Sequence, residues 1–123
     1  KLKIAVCDDD LQWSERIRQS ISEYMCHVNQ QCDIQVYESG EELCGAFHGS
    51  HSFDIVFLDP PYSKGHVQAA LLLLPDIMTD SGVILCEHEH SDKLPEEVGT
   101  FVRTKEYRYG RISVSAYRKK ESR

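Results

Sequence analysis

The stretch from Phe53 to Tyr62 reads FDIVFLDPPY, and it decides the fold. Its apolar run is typical of a strand inside a parallel sheet, because such strands are covered on both faces. The run ends at Asp59, and the two prolines that follow end the strand because they lack a backbone N–H. Ligands of parallel sheets bind beyond the carboxyl ends of the strands, so Asp59 marks a candidate site.

Strand-like and helix-like segments alternate on both sides of this stretch. Asp10 can cap a helix that follows the first strand, and Ser39-x-x-Glu42 has the form of a capping box. The predicted strands cover 3–7, 33–37, 53–58 and 83–86, and the predicted helices begin near 11, 40 and 65. This alternation predicts an α/β fold with a mainly parallel sheet and helices on both of its faces.

The end of the chain has a different pattern. Phe101–Tyr107 and Arg111–Tyr117 are both strand-like, and a short turn with Gly110 joins them. Two parallel strands need a crossover of a dozen or more residues between them, so these two strands should form an antiparallel hairpin.

Composition narrows the class of protein. The 123 residues suit a single domain, predicted over 1–123, and no stretch is long and apolar enough to span a membrane. The five cysteines are an odd number without a C-x-x-C pair, which argues against a disulfide framework or a zinc site. Reduced thiols favour a cytoplasmic protein without membrane partners.

The net charge of -6 is distributed unevenly. Residues 1–60 hold four Lys or Arg against eleven Asp or Glu, whereas residues 101–123 hold eight against two. The acidic front disfavours nucleic-acid binding, and the basic tail mildly favours it. A solvated final strand is the plainer explanation of the tail.

Three carboxylates converge if the first and third strands are neighbours. Asp8 and Asp9 end the first strand and Asp59 ends the third. Such a cluster repels itself unless it is protonated or neutralised by a cation, and Mg²⁺ prefers oxygen ligands of this kind. The sequence therefore predicts an acidic pocket that admits Mg²⁺ on Asp8, Asp9 and Asp59.

The segments KIAVCDDD and VYESGEEL within residues 1–52 resemble CheY-like response-regulator receiver domains, of the type that precedes LytTR DNA-binding domains. The resemblance implies Mg²⁺ on Asp8 and Asp9, phosphorylation of Asp59, and a histidine kinase as partner. Two features depart from the receiver pattern. The fourth strand ends in Cys86-Glu87-His88 instead of Ser or Thr, and no Lys-Pro pair follows later in the chain.

Residues 53–123 resemble another family. Asp59-Pro60-Pro61-Tyr62 is similar to the catalytic motif of methyltransferases that act on exocyclic amino groups of bases. In such a motif the Asp carboxylate and a backbone carbonyl accept hydrogen bonds from the amine, the prolines hold the turn, and the aromatic ring stacks on a flipped base. With SGVILCEHEH and the closing hairpin, the stretch resembles RsmD-type enzymes, which methylate a guanine of small-subunit ribosomal RNA with S-adenosylmethionine.

The cofactor is where this second resemblance is incomplete. These enzymes are expected to have a glycine-rich turn after the first strand, where the backbone approaches the cofactor closely. This chain has Cys7-Asp8-Asp9-Asp10 there, and the aspartates would repel the cofactor's carboxylate. Glu38, after the second strand, could imitate a ribose-binding acid. The turn argues against S-adenosylmethionine, and the sequence therefore leans against enzymatic activity without deciding it.

Two smaller patterns have plain explanations beside functional ones. His88 and His90 alternate on a predicted strand and share a face, as metal ligands can, although the same stretch belongs to the methyltransferase-like tail. Cys7 is better explained as a buried strand residue than as a nucleophile, because nearby carboxylates raise the pKa of a thiol.

Together the two resemblances predict an engineered or recombinant chimera joined between His48 and Leu58. Its fold would be a three-layer sandwich, a flavodoxin-like and Rossmann-like hybrid with strand order 2-1-3-4-6-5 and an antiparallel last strand. The predicted function is no complete native activity, with at most a Mg²⁺ site and a weakly phosphorylated Asp59. The alternative is an S-adenosylmethionine-dependent rRNA guanine-amino methyltransferase fragment. Ribosomal RNA is a partner by resemblance only, and a homodimer stays open.

Overall fold

The computed structural model describes residues 1–46, 52–59, 71–91 and 94–120, without the side chains of Glu41 and Asp59. Within these residues lie one seven-stranded sheet and few helices. The strands are β1 Leu2–Asp8, β2 Cys32–Tyr37, β3 Phe53–Asp59, β4 Met78–Glu89, β5 Glu97–Val98, β6 Phe101–Tyr109 and β7 Ile112–Lys119. The helices are α1 Leu11–His27, α2 Gly40–Ala46 and a 3-10 turn at Leu74–Ile77.

The sheet order is β2-β1-β3-β4-β7-β6-β5. β1 pairs in parallel with β2 and β3, and β3 pairs in parallel with β4. β7 is antiparallel to both β4 and β6, as expected for a hairpin that closes the sheet. The predicted order 2-1-3-4-6-5 is the same path without β5, so the mixed α/β sheet is confirmed and the strand count was one short.

The missing strand, β5, lies in a segment for which the sequence predicted no strand. Its two residues pair antiparallel with the start of β6, with Val98 opposite Phe101. Gly99 between them has φ +57, a left-handed conformation that glycine adopts without strain. A two-residue strand is too short to show the alternation that identifies strands in sequence.

β4 begins earlier than the sequence indicated, because residues 80–82 belong to the strand and do not form a turn. The pairing with β3 jumps from Phe53↔Met78 to Ile55↔Val83, which is a bulge in β4. Gly82 fits this close approach, because an added Cβ would lie 2.8 Å from Met78 Cε and 3.1 Å from the backbone oxygen of Asp54, so that these neighbours would have to shift.

One apolar cluster connects both ends of the sheet. The apolar run of β1 is buried throughout, as predicted for a central parallel strand, and Leu43 of α2 packs in the cluster over it. From the other end come Cys86 of β4, Phe101 of β6 and Tyr117 of β7, all at most 2% exposed. No helix among the described residues is long and apolar enough to cross a membrane.

The face that α1 turns to the sheet buries only a few side chains. Ser14 is fully buried, and Ile17, Ile21 and Met25 are half-buried. Trp13 and Tyr24 of α1, and Val28 just after it, are exposed. Asp10, the N-cap of α1, accepts hydrogen bonds from the backbone N–H groups of Gln12 and Trp13.

Candidate functional site

The carboxyl ends of β1 and β3 lie side by side. Asp8 and Asp59 are Cα partners in the parallel register, one position beyond the pair Cys7 and Leu58. β2 ends at the same edge, with Tyr37 opposite Cys7. This edge is where parallel sheets bind ligands, and the D-P-P-Y motif begins at it.

The three aspartates after β1 have three different environments. Asp8 is 4% exposed, and its Oδ1 accepts a hydrogen bond of 2.9 Å from the backbone N–H of Asp10. Asp10 Oδ1 accepts from the N–H groups of Gln12 and Trp13, at 3.1 Å each, and so caps α1. Asp9 between them is exposed. Asp8 and Asp10 therefore stabilise the local turn and the start of α1, and Asp9 is an exposed carboxylate without such a role in the described contacts.

The expected Mg²⁺ pocket finds no support. Among the described side chains, which do not include those of Glu41 and Asp59, no group of three His, Cys, Asp or Glu could hold a metal ion. The physical reason is that Asp8 and Asp10 bond backbone N–H groups of the same turn. The structure therefore gives no evidence for Mg²⁺, and the grouping of Asp8, Asp9 and Asp59 as its ligands stays untested, because the Asp59 side chain lies outside the described part of the chain.

Cys7 is a buried thiol beside this edge. Burial, and then the charges of Cys44 and Glu42, raise its pKa from 9.0 to about 12. A thiol with that pKa is protonated at neutral pH and is a poor nucleophile. Tyr37 packs against the same cluster, and its hydroxyl donates a hydrogen bond of 2.6 Å to Gln35 Oε1.

Beyond β2, the predicted capping box opens α2. Ser39 Oγ accepts a hydrogen bond of 3.0 Å from the backbone N–H of Glu42. The Glu42 carboxylate accepts one of 3.1 Å from the backbone N–H of Glu38. This leaves the Glu38 side chain exposed at the same edge as Asp9.

A polar seam joins the end of β4 to β7, and the sequence did not predict it. His88 is 5% exposed, with Nε2 2.8 Å from Ser115 Oγ and Nδ1 2.9 Å from the backbone oxygen of Glu89. His90 Nδ1 lies 3.1 Å from Ser113 Oγ. Both ring nitrogens of His88 are engaged, so its role is structural, and no metal site forms on the two histidines within the described part of the chain.

Only the first residue of the D-P-P-Y motif belongs to the described part of the chain. Asp59 is described by its backbone alone, at the end of β3. Pro60, Pro61 and Tyr62 lie outside the described residues. The roles assigned to Asp59, Pro60, Pro61 and Tyr62 therefore stay predictions.

Comparison with known proteins gives one family for nearly the whole chain. The family described as "Conserved hypothetical protein 95" matches residues 3–118. The chain is 36% identical over 90 residues, 70% of its length, to "Putative rRNA methyltransferase YlbH" of Bacillus subtilis (strain 168). That match covers 49% of the relative, so the chain spans about half the length of the curated relative it matches.

Solved structures support the fold. A conserved hypothetical protein of Streptococcus pyogenes superimposes with a TM-score of 0.66 and 20% identity, covering 96% of this chain and 86% of that one. "Putative methyltransferase yhhF from Escherichia coli" gives a TM-score of 0.62 and 17% identity, covering 98% and 78%. Both similarities extend across residues 1–52 and 53–123, which resemblance to known sequences had assigned to two different families.

The prediction of a chimera is wrong. A single family covers residues 3–118, so residues 1–52 are not a receiver half, and the histidine kinase expected as its partner loses its basis. The resemblance misled because KIAVCDDD describes a buried strand followed by a capped helix, which many parallel sheets contain. The flavodoxin-like hybrid is not supported either.

The argument against S-adenosylmethionine is overturned by the same match. That argument assumed that receiver residues had replaced the part of a methyltransferase that binds the cofactor. Because the family match includes residues 3–52, no replacement took place there. The absence of a glycine-rich turn after β1 is then a feature of this stretch of the chain and no sign of a foreign segment.

Proposed function

Because the chain belongs to the family described as "Conserved hypothetical protein 95", we propose that it transfers a methyl group to a guanine amino group of small-subunit ribosomal RNA. The observation that supports this most strongly is the position of Asp59. β3 ends there, beside the end of β1, so the D-P-P-Y motif begins at the ligand-binding edge of the sheet. The name of the relative at 36% identity favours ribosomal RNA as the substrate.

We assign the chemistry of the amine to the motif itself. The Asp59 carboxylate and a backbone carbonyl of the turn accept hydrogen bonds from the base amine, which orients its lone pair toward the methyl donor. Pro60 and Pro61 keep the turn rigid, because each fixes one backbone torsion. Tyr62 stacks on the base after it leaves its helix. S-adenosylmethionine supplies the methyl group when it is bound.

The described edge fits part of this cofactor. Asp9 and Glu38 are exposed carboxylates that follow the neighbouring strands β1 and β2. Acids at such positions accept hydrogen bonds from ribose hydroxyls, and they attract a cationic ligand. The cofactor's own carboxylate finds no partner in the β1–α1 turn, because Asp10 caps that helix with its side chain. Asp9 and Glu38 would therefore hold the ribose, and other residues the amino-acid end.

We further propose that residues 1–123 form one three-layer domain that works in the cytoplasm, where its ribosomal substrate is made. The layer arrangement rests on the order of elements, in which each of the first two parallel strands is followed by a helix.

A methyl-transfer assay tests the proposed function. Radiolabelled S-adenosylmethionine is mixed with the chain and with small-subunit ribosomal RNA, either free or assembled into subunits. Asp59→Asn should lower the rate by about 100-fold, because the amine loses a charged acceptor. Asp33→Asn is the matched control, since Asp33 lies exposed on β2 near the opposite edge, in an ion pair with Lys1. Equal rates for the two variants, or no transfer by the unchanged chain, would contradict the proposal.

A further inference from the structure

One face of the β6–β7 hairpin carries two exposed aromatic rings. Tyr107 is 43% exposed and Tyr109 is 67% exposed. Together with Lys105 they occupy every second position of β6. The Nζ atom of Lys105 lies 6.0 Å from the centroid of the Tyr107 ring. Alternate residues of a strand share a face, so Lys105, Tyr107 and Tyr109 form one row, here called the tyrosine face.

This row lies on the basic part of an acidic protein. Residues 101–120 contain seven Lys or Arg and one Glu, whereas the whole chain has a net charge of -6. Within the described chain, Lys119 pairs with Asp80 and Lys120 with Glu97, both at 2.8 Å. Lys105 and the exposed Arg111 take part in no ion pair among those residues.

The tyrosine face ends at the same edge as the candidate site. The pairing runs from Leu58 of β3 to Cys86 of β4, then to Ser115 of β7 and Glu106 of β6. One residue further toward the edge, Asp59 and Tyr107 are therefore at the same level, three strands apart. At an inter-strand spacing of about 4.8 Å, their backbones are about 14 Å from each other.

We propose that the tyrosine face binds unpaired RNA nucleotides that flank the methylated base, an inference that rests on the proposed function. The rings of Tyr107 and Tyr109 stack on bases, which present a π face only where the RNA is single-stranded or splayed open. Lys105 and Arg111 bind the adjoining phosphates. The distance of about 14 Å lets one strand of RNA contact both this face and Asp59.

The charges between the two sites orient the strand. Glu87 and Glu89 of β4 lie between Asp59 and the tyrosines, opposite Val114 and Ile112 of β7. Carboxylates repel phosphates and accept hydrogen bonds from base amino groups. The RNA backbone is thus directed to the outer, basic side of the hairpin, with its bases turned toward the sheet.

The occupant is RNA and not a protein segment because of this charge pattern. A protein-binding face is depleted of charge at its centre, with an apolar patch inside a polar rim. Here a lysine sits over a tyrosine ring, and an arginine follows in the turn. Two aromatic rings with a cationic side chain at each end of the row suit the bases and phosphates of a single strand.

Binding of a fluorescently labelled, guanine-containing single-stranded RNA, followed by anisotropy without cofactor, tests the inference. Tyr107→Ala and Tyr109→Ala should each raise Kd by about fivefold to 100-fold, since each removes a stacking platform. Tyr107→Phe should bind like the unchanged chain, because the ring remains. Tyr24→Ala is the matched control, an exposed tyrosine on α1 that should leave Kd unchanged.

Salt dependence separates the phosphate contacts from the stacking. Lys105→Ala and Arg111→Ala should each reduce the slope of log K against log salt concentration by about 0.7, whereas Tyr109→Ala should lower affinity with the slope unchanged. Unaltered Kd in the double variant Tyr107→Ala/Tyr109→Ala would overturn the inference, as would equal competition by the same sequence as a duplex.

The result is independent of the methyl-transfer assay. If the chain binds the RNA through its tyrosines but transfers no methyl group, the tyrosine face stands and the proposed function fails. If methyl transfer proceeds with the same KM in the double tyrosine variant, the proposed function stands and this inference fails.

Discussion

The two ends of the sheet differ in strand direction, charge and exposed chemistry. At the β1–β3 end the strands are parallel, and exposed carboxylates such as Asp9 and Glu38 follow them. At the β6–β7 end the strands are antiparallel, and the exposed groups are tyrosine and cationic side chains. A parallel edge provides loops and carboxylates for a small ligand, whereas a hairpin provides a flat face for a long one. The difference teaches that one sheet can carry two chemically distinct faces, which our two proposals assign to the cofactor and to RNA.

The two ends nevertheless share one core, and the largest expected effect tests that. Phe101 of β6 is 2% exposed and packs in the same cluster as Leu58 of β3. Phe101→Ala should lower the free energy of unfolding by about 3–5 kcal/mol, because it leaves a cavity. Urea unfolding followed by circular dichroism and by Trp13 fluorescence should show one coincident transition. Two separate transitions would contradict this account, because they would show that the two ends of the sheet unfold independently and do not share one core.

A smaller effect on stability is expected at the polar seam, where β4, the last of the parallel strands, pairs with β7 of the hairpin. His88→Ala removes the partner of the buried Ser115 hydroxyl and should cost about 1–3 kcal/mol in the free energy of unfolding. His90→Ala is the control, because its side chain is 42% exposed and should cost less. Equal losses in the two variants, measured by urea unfolding, would mean that the buried hydrogen bond does not hold the seam.

Alkaline pH should lower the stability of the fold through Cys7 of β1 first and through Tyr117 of β7 at higher pH. Burial, first among the causes, raises the pKa of Cys7 from 9.0 and that of Tyr117 from 10.0, each to about 12. The folded chain then holds protons that the unfolded chain releases, so stability is complete below pH 9 and falls toward pH 12. The slope should be at most about 1.4 kcal/mol per pH unit for each group.

Cys7→Ala separates the two contributions. Between pH 9 and pH 10, where Tyr117 still contributes fully, this variant should lose less free energy of unfolding than the unchanged chain. An equal loss in the two proteins over that range would assign the effect to other groups.

The regular elements were predictable because their patterns are local. The run FDIVFLD gave a central strand that the structure places at Phe53–Asp59, and the two runs around Gly110 form the expected antiparallel hairpin. What failed depended on context. β5 has two residues, and the bulge in β4 near Gly82 depends on contacts with β3, which no periodicity reveals. Trp13 is apolar, yet it is 44% exposed.

For the candidate site, local motifs indicated its position in the sheet better than they indicated the protein family to which it belongs. Asp59 was expected at the carboxyl edge beside the first strand, and its backbone lies there. The acids after β1 suggested a receiver, because a strand followed by aspartates looks alike whether the aspartates bind a metal or cap a helix. The polar seam of His88 and Ser115 was missed because it joins residues 27 positions apart. The alternating tyrosines of β6 were the available sign of the hairpin's exposed face.

The division between the two ends is tested most directly by calorimetric titration with S-adenosylmethionine. Three proteins are compared: the unchanged chain, Asp9→Asn/Glu38→Gln at the parallel edge, and Tyr107→Ala/Tyr109→Ala at the hairpin. We expect saturable binding by the unchanged chain and by the tyrosine variant, and at least about tenfold weaker binding by the variant of the parallel edge, because two hydrogen-bonded carboxylates are lost. No binding by the unchanged chain, or equal binding by all three proteins, would contradict the account.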